Sequence, residues 1–245
     1  MKTIFNENNY FALTIGAALI LATIVGGIFY ATKSTTGKDI LTVTGSSRTE
    51  VTADSVLWRT AITRNVGYAG LKAGYTQMAT DLAEVKNFLK ANNIPDEAIT
   101  AQPIMMNEDW SNNGPVAQES KRYTLTQSSE IKSADVNGVT ALAQKSGDLI
   151  NKGVLFQSQG LEYYYTKLAE LRVSMLGDAV KDAKERAQQM AKAGGQRVGS
   201  LQSASSGVVQ VLSRGSVEVS DYGSYDTSKI EKDVMVTVRA TFGVK

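Results

Sequence analysis

The chain has 245 residues, of which 42% are hydrophobic and 20% charged, enough for one large domain or two small ones. Its 26 basic and 24 acidic side chains give a formal net charge of +2, and the basic residues are scattered, so no nucleic-acid-binding face is expected. Neither cysteine nor histidine occurs, which excludes disulfides, thiolate and histidine-dependent catalysis, and zinc sites that contain histidine.

The N-terminal segment, residues 11–31, carries no charge and predicts a transmembrane helix. As a helix it would be about 31 Å long, which matches a bilayer core of about 30 Å. A cleavable signal peptide is the alternative, but its apolar region would be shorter, and the bulky Phe29 disfavours cleavage before Thr32. We therefore expect an uncleaved signal anchor between a short cytoplasmic tail (residues 1–10) and a linker (residues 32–39).

Small residues recur every fourth position in this segment, at Ala18, Ala22 and Gly26. This spacing lets two membrane helices approach closely, but it is also common in any span rich in Ala and Gly. Positive charges lie on both sides of the segment, so the positive-inside rule does not determine its orientation.

Two strands and a long helix follow the linker. Residues 40–44 and 51–66 alternate with a period of two and predict strands. From Leu71 the apolar spacing changes to three and four residues, which predicts an amphipathic helix of about 25 residues ending at Asn92 and Pro95. The predicted inward stripe of that helix is Leu71, Tyr75, Met78, Leu82, Val85 and Leu89.

The middle of the chain predicts a hairpin, a helix and an extended aromatic segment. The hairpin pairs residues 99–106 with residues 122–132 across a loop over residues 107–120. Residues 136–150 have helical spacing, and Gly153 follows as a C-terminal cap. Residues 154–165 are extended and aromatic.

The C-terminal third predicts a long Ala-rich helix and two long antiparallel strands. The helix covers residues 167–193 and stops at Gly194 and Gly195; the strands are residues 198–212 and 230–244, joined by a polar loop over residues 213–229. The predicted inward stripe of the helix is Leu168, Leu171, Met175, Ala179, Ala183, Ala187 and Met190. Small residues on this stripe predict close packing against a sheet.

The element order is therefore β-β-α-β-β-α-β-α-β-β. Neighbouring strands with hairpin-length connections favour an α+β fold, with antiparallel sheets covered by helices on one face. A strand-helix-strand-strand pattern occurs twice, which predicts that the domain over residues 40–245 consists of two similar lobes divided near Ala134.

Two ordered motifs resemble the SIMPL-domain family. Residues 40–63 are similar to the family's opening strand, polar turn and second strand, with Val43, Gly45, Asp54 and Trp58 at the matching positions. Residues 171–199 are similar to its Ala-rich helix and following strand, with Ala179, Asp182, Ala183, Ala187, Gly194, Gly195 and Gly199 at matching positions. The tyrosines at 163–165 resemble the membrane-anchored bacterial branch. The likeness covers residues 40–244.

The resemblance implies a single-pass protein of the bacterial inner membrane with its C-terminal domain in the periplasm or outside. Some SIMPL proteins form ring- or cage-like homo-oligomers, and several are associated with stress defence. The family supplies no catalytic residues, and we expect no catalytic, cofactor-binding or metal-binding residues and no cofactor here.

The acidic pairs Glu50 with Asp54 and Asp178 with Asp182 are candidates for sharing a cation or a proton. Solvent-exposed carboxylates balanced by Lys181 and Arg186 are the alternative that we favour. The tyrosines at 163–165 offer stacking surfaces, although sheet packing is the commoner use of such a run.

The leading hypothesis is a non-enzymatic, membrane-anchored envelope protein whose ectodomain assembles into a large homo-oligomer, with a role in envelope stress defence. Its expected partners are further copies of itself and, through residues 11–31, the membrane, but not nucleic acid. The alternative is a ligand-binding or signalling module with a pocket between the two lobes. The long loops, residues 107–120 and 213–229, are functional candidates in either case.

Overall fold

The computed structural model describes residues 16–28, 39–109, 117–216, 220 and 222–245. Helix α1 covers residues 16–28, so every described residue of the predicted membrane span is helical; residues 11–15 and 29–31, the tail and most of the linker lie outside the described residues. Within the described ranges, no helix combines the length and the apolar character needed to cross a membrane.

The elements that follow form a mixed α+β structure with two sheets. In chain order they are β1 (Ile40–Thr52), β2 (Ser55–Gly67), α2 (Leu71–Ala91), β3 (Ile99–Ala101), β4 (Met105–Glu108), β5 (Arg122–Ser133), α3 (Val136–Gln144), α4 (Asp148–Asn151), β6 (Phe156–Tyr164), α5 (Leu168–Ala193), β7 (Val198–Ser213), β8 (Ser224–Tyr225) and β9 (Glu231–Val244). The predicted α+β class is confirmed.

The first sheet has five strands in the order β3-β5-β2-β6, with β4 also paired to β5. All its pairings are antiparallel, and β2 faces β5 from Val56 opposite Ser133 to Gly67 opposite Arg122. One face of β2 is buried, because Val56, Trp58, Thr60 and Ile62 alternate along the strand. Of these, Val56, Trp58 and Ile62 belong to the core that α2 and α3 cover.

The second sheet has the strand order β1-β9-β7-β8. The Val244 amide donates to the Asp39 carbonyl and the Thr42 and Thr241 hydroxyls are bonded, so β1 and β9 are antiparallel, whereas β8 is parallel to β7. The predicted long strands at residues 198–212 and 230–244 are thus confirmed as β7 and β9. The loop predicted over residues 213–229 contains the short strand β8, which the sequence analysis did not predict.

Helix α5 packs closely through small residues, as its sequence predicts. Met175, Ala179, Ala183 and Ala187 are buried, and a side chain at Gly45 of β1 would collide with the backbone of α5. Met190 was wrongly predicted to face inward: it is 54% exposed, and Ala191 is buried instead, because the stripe drifts around the helix at 3.6 residues per turn.

Helix α2 ends at Ala91, and Asn93 takes a positive φ of 64°, which confirms the predicted stop. Tyr75, predicted to face inward, is 40% exposed, whereas Asp81 is buried. The helix predicted over residues 136–150 is interrupted between α3 and α4, and a positive φ at Gly153 ends it. The strand predicted over residues 99–106 is divided into β3 and β4 around Pro103, because proline cannot donate to the ladder.

The chain divides into two compact units that are discontinuous in sequence. One unit comprises residues 1–43, 184–204 and 240–245, and the other comprises residues 44–183 and 205–239. The domain limits expected from the sequence, including the division near Ala134, stay predictions.

Candidate functional site

Three of the four acidic residues singled out in the sequence have structural partners, whereas Asp178 is exposed. Asp182 accepts a hydrogen bond from the Ser46 amide at 2.7 Å, and Glu50 pairs with Arg214 at 2.8 Å. Asp54 accepts two bonds from Thr166, one from the amide and one from the hydroxyl. Across the part of the chain that the structure describes, no cluster of three or more acidic side chains could hold a metal ion.

A cleft of about 610 Å³ lies on the face of the five-stranded sheet opposite to Trp58, and we call it the tyrosine cleft. Its lining residues come from β2, β5, the end of β6 and β8: Ser55, Leu57, Glu130, Lys132, Tyr164, Tyr165, Thr166 and Tyr225. This volume lies in the range of pockets that hold small molecules.

The aromatic wall of the tyrosine cleft is fixed by hydrogen bonds. The rings of Tyr164 and Tyr225 lie 5.8 Å apart and are tilted by 35°. The Tyr165 amide donates to the Tyr225 hydroxyl at 2.8 Å, and the bonds from Thr166 to Asp54 hold the chain just after β6. These contacts pre-organise two ring faces around the cleft.

The charges beside this wall are mostly neutralised within the protein. Arg59 donates to Glu130 at 3.2 Å and also to Glu162, and the Tyr164 hydroxyl donates to Glu162. The bond to Glu130 and the nearby Glu162 carboxylate raise the pKa of Arg59. The bond to Glu162, together with burial, raises the pKa of Tyr164, so its hydroxyl keeps its proton and remains a donor.

A fully buried lysine contacts the segment that carries Tyr225. Lys232 donates to the Asp226 carbonyl and lies 5.7 Å from the centre of the Tyr225 ring; burial lowers the pKa of this lysine. The Ser213 hydroxyl and the Ser228 amide lower the pKa of Asp226 to about 2. The residue after Tyr225, Asp226, is therefore held through its carbonyl by Lys232 and through its carboxylate by Ser213 and Ser228.

A second feature is the edge of β7 that does not face β9. Among the strands that the structure describes, only β8 pairs with this edge, and only at Gln210 and Val211. The sequence of β7 contains neither a charged residue nor a proline, and residues 200–206 are all exposed. We call residues 198–207 the open β7 edge.

Part of these features is predictable from the sequence. Of the tyrosines at 163–165, Tyr163 belongs to the core and shares a 3.0 Å hydrogen bond with the Thr140 hydroxyl, whereas Tyr164 and Tyr165 line the cleft. Tyr225 lies in the loop that was a functional candidate. Ser55 and Lys132 were missed, because only the strand register brings them to the same face as Tyr164.

A family model described as "SIMPL: Protein of unknown function (DUF541)" matches residues 41–242, which is most of the chain. No curated protein matches the sequence.

Proposed function

Since the chain belongs to the SIMPL family of proteins of unknown function, we propose that it is a non-enzymatic, membrane-anchored envelope protein that assembles with copies of itself. The open β7 edge carries this proposal. Assembly proceeds by pairing of this edge with the same edge of a second copy, and closed rings or cages need a further interface. The helix face of Ala18, Ala22 and Gly26 is our candidate for that interface.

The open β7 edge is suited to pairing with itself. In an antiparallel ladder, the backbone groups of every second residue point away from the paired neighbour. Arg197 and Lys245 exchange both of their backbone hydrogen bonds, and Gly199 lies against the Gly243 backbone in the same register, so the amides of Val198 and Ser200 point outward. Two uncharged copies meet around a two-fold axis without repulsion, and long uncharged edges are templates for such pairing.

The test is the oligomeric state of the full chain in detergent, measured by mass photometry over a range of concentrations. Ser200→Pro removes one outward amide of the open β7 edge without removing a bond to β9. Ser200→Thr is the matched control, because it keeps the amide and suits a strand.

We expect the wild type and Ser200→Thr to assemble and Ser200→Pro to shift towards monomer, with unchanged circular dichroism. A wild type that stays monomeric at every concentration overturns the proposal, and so does a Ser200→Pro variant that assembles like the wild type.

We also propose that residues 11–31 anchor the protein in a bacterial inner membrane, with the C-terminal domain in the periplasm. The support is the uncharged stretch itself and the family's envelope association. We expect the protein to resist alkaline carbonate extraction and to be cleaved by protease added to spheroplasts. Release by carbonate would contradict the anchor, and full protection from protease would contradict the orientation.

A further inference from the structure

The tyrosine cleft contains two polar side chains that lack protein partners. Ser55 is 6% exposed, yet its hydroxyl forms no hydrogen bond with the residues that the structure describes. Lys132 likewise forms no ion pair within those ranges, whereas the adjacent Glu130 is bonded to Arg59. Lys132 is exposed, so its ammonium and the Ser55 hydroxyl are both open to a group that enters the cleft.

The strand register brings these two groups over one surface. Leu57 lies opposite Lys132 on β5, and Ser55 lies opposite Tyr164 on β6. Ser55 and Leu57 are two residues apart on β2 and therefore share a face of the sheet. The ammonium and the hydroxyl thus flank the apolar Leu57 side chain, next to the ring of Tyr164.

We infer that the tyrosine cleft binds a small aromatic monocarboxylate. The carboxylate accepts hydrogen bonds from Lys132 and the Ser55 hydroxyl, and the aromatic body packs on Leu57 beside the ring of Tyr164. Aromatic faces and a charge-assisted bond are the two interactions that such a ligand needs.

The hydrogen bonds of the lining disfavour the other ligand classes. Glu130 and Glu162 already accept bonds from Arg59, and Glu162 also from the Tyr164 hydroxyl, so a cationic ligand would compete with these donors. A phosphate or another polyanion would need several cations, and Lys132 is the one unpaired cation in the described lining. A single negative charge on an apolar body fits both conditions.

Two sources share this chemistry: a free aromatic acid, or the C-terminal carboxylate of a peptide that ends in an aromatic residue. The probes are therefore 4-fluorobenzoate for the free acid and N-acetyl-4-fluorophenylalanine for the peptide end. Neutral 4-fluorobenzyl alcohol and acetate separate the contributions of ring and charge. Each is titrated by fluorine or proton NMR against the full chain in detergent, with protein-free micelles as the reference.

The variants are Lys132→Gln and Ser55→Ala, with Lys72→Gln on the exposed part of α2 as the matched control. We expect at least one carboxylate probe to bind saturably with a dissociation constant of about a millimolar or below. Lys132→Gln should weaken this binding about tenfold or more and Ser55→Ala severalfold, because a charge-assisted bond is worth more than a neutral one. Lys72→Gln should leave it unchanged.

Tighter binding of one carboxylate probe identifies which source the cleft prefers. The inference is overturned if neither carboxylate binds saturably, if the neutral alcohol binds as tightly as the acid, or if Lys132→Gln binds as the wild type does. Thermal unfolding of each variant separates loss of the site from loss of the fold. The oligomeric state is measured on the same samples, so failure here is distinguishable from failure of the assembly proposal.

Discussion

The ion pair between Arg64 on β2 and Asp81 on α2 should contribute more to stability than any exposed pair on the same sheet. Arg64 donates to both carboxylate oxygens of Asp81, at 2.5 and 2.9 Å, and to the Gly153 carbonyl at 2.8 Å. The Asp81 side chain is only 3% exposed, and Gln77 is its other partner at 3.1 Å. The perturbation is Arg64→Met, which keeps most of the apolar stem and removes the charge.

The expected loss of unfolding free energy follows from the Asp81 carboxylate, which the substitution leaves buried without its cation. Breaking a buried ion pair by removing one partner costs about 3–5 kcal/mol, because the remaining charge is buried without compensation. The Arg64 side chain is 27% exposed and Gln77 remains bonded to Asp81, so the lower end, about 3 kcal/mol, is expected. With a urea m-value of about 2 kcal/mol/M, the unfolding midpoint falls by about 1.5 M.

The assay is urea unfolding of the full chain in detergent, followed by circular dichroism at one fixed protein concentration, since assembly would make stability depend on concentration. Arg59→Met is the matched control: it lies on the same strand, but its ion pairs with Glu130 and Glu162 are partly exposed. Its effect should be clearly smaller, because exposed pairs are screened by water. Equal midpoint shifts in the two variants, or a shift below about 0.5 M for Arg64→Met, would refute the reasoning.

Three further predictions concern packing and charge. Gly45→Ala should destabilise the protein by about 3 kcal/mol in the same urea assay because its methyl group meets the α5 backbone, whereas Gly177→Ala, with open space around it, should stabilise by up to about 1 kcal/mol; equal effects would contradict the packing. Trp58→Phe should cost about 2 kcal/mol, since this fully buried ring loses its 2.8 Å bond to Ser158, and a neutral result would show that the bond contributes nothing. The pKa of Asp226 is lowered to about 2, so its ionised form stabilises the fold above the unfolded pKa of about 3.9 and this stabilisation is lost as the pH falls towards 2. Asp226→Asn should therefore reduce the fall in unfolding free energy between about pH 4 and 2 by about 1 kcal/mol. An unchanged fall would show that Asp226 does not cause the pH dependence.

Long periodic segments were predictable from the sequence, because their burial repeats over many residues. The predicted and observed bounds of α5, β7 and β9 differ by one residue at most. Short elements were not predictable: β8 has two residues, and its place beside β7 depends on a parallel pairing that no local pattern encodes. The burial of Asp81 was not predicted for a different reason. A charged residue beside an apolar stripe is expected to face solvent, and Asp81 is buried because its ion pair with Arg64 offsets the cost of removing the carboxylate from water.

The candidate site was predictable in its aromatic residues but not in its polar ones. A run of three tyrosines is recognisable in the sequence as a possible stacking surface, whereas Lys132 and Ser55 are ordinary surface residue types in predicted strands. They become a pair only through the register of β5 and β6 on β2, which is set by the whole sheet. No local pattern in the sequence encodes that pairing.

The other sheet edges show why the open β7 edge indicates pairing. On β1, the Ser46 amide donates to Asp182, so a helix carboxylate occupies that edge. On β6, the Tyr163 amide donates to the Thr227 carbonyl at 2.8 Å, and the ladder shifts register beside Gly160.

The edge formed by β3 and β4 consists of strands of three and four residues on either side of Pro103. Occupied amides, bulges, short strands and proline are the devices by which proteins prevent edges from pairing. Within the described residues, the open β7 edge contains no proline and no charged residue and is part of the longest strand, with 16 residues, although the register of β7 on β9 shifts between residues 199 and 214. Protection of three edges and exposure of the longest one is the pattern expected if that strand is kept available for a second copy of the chain.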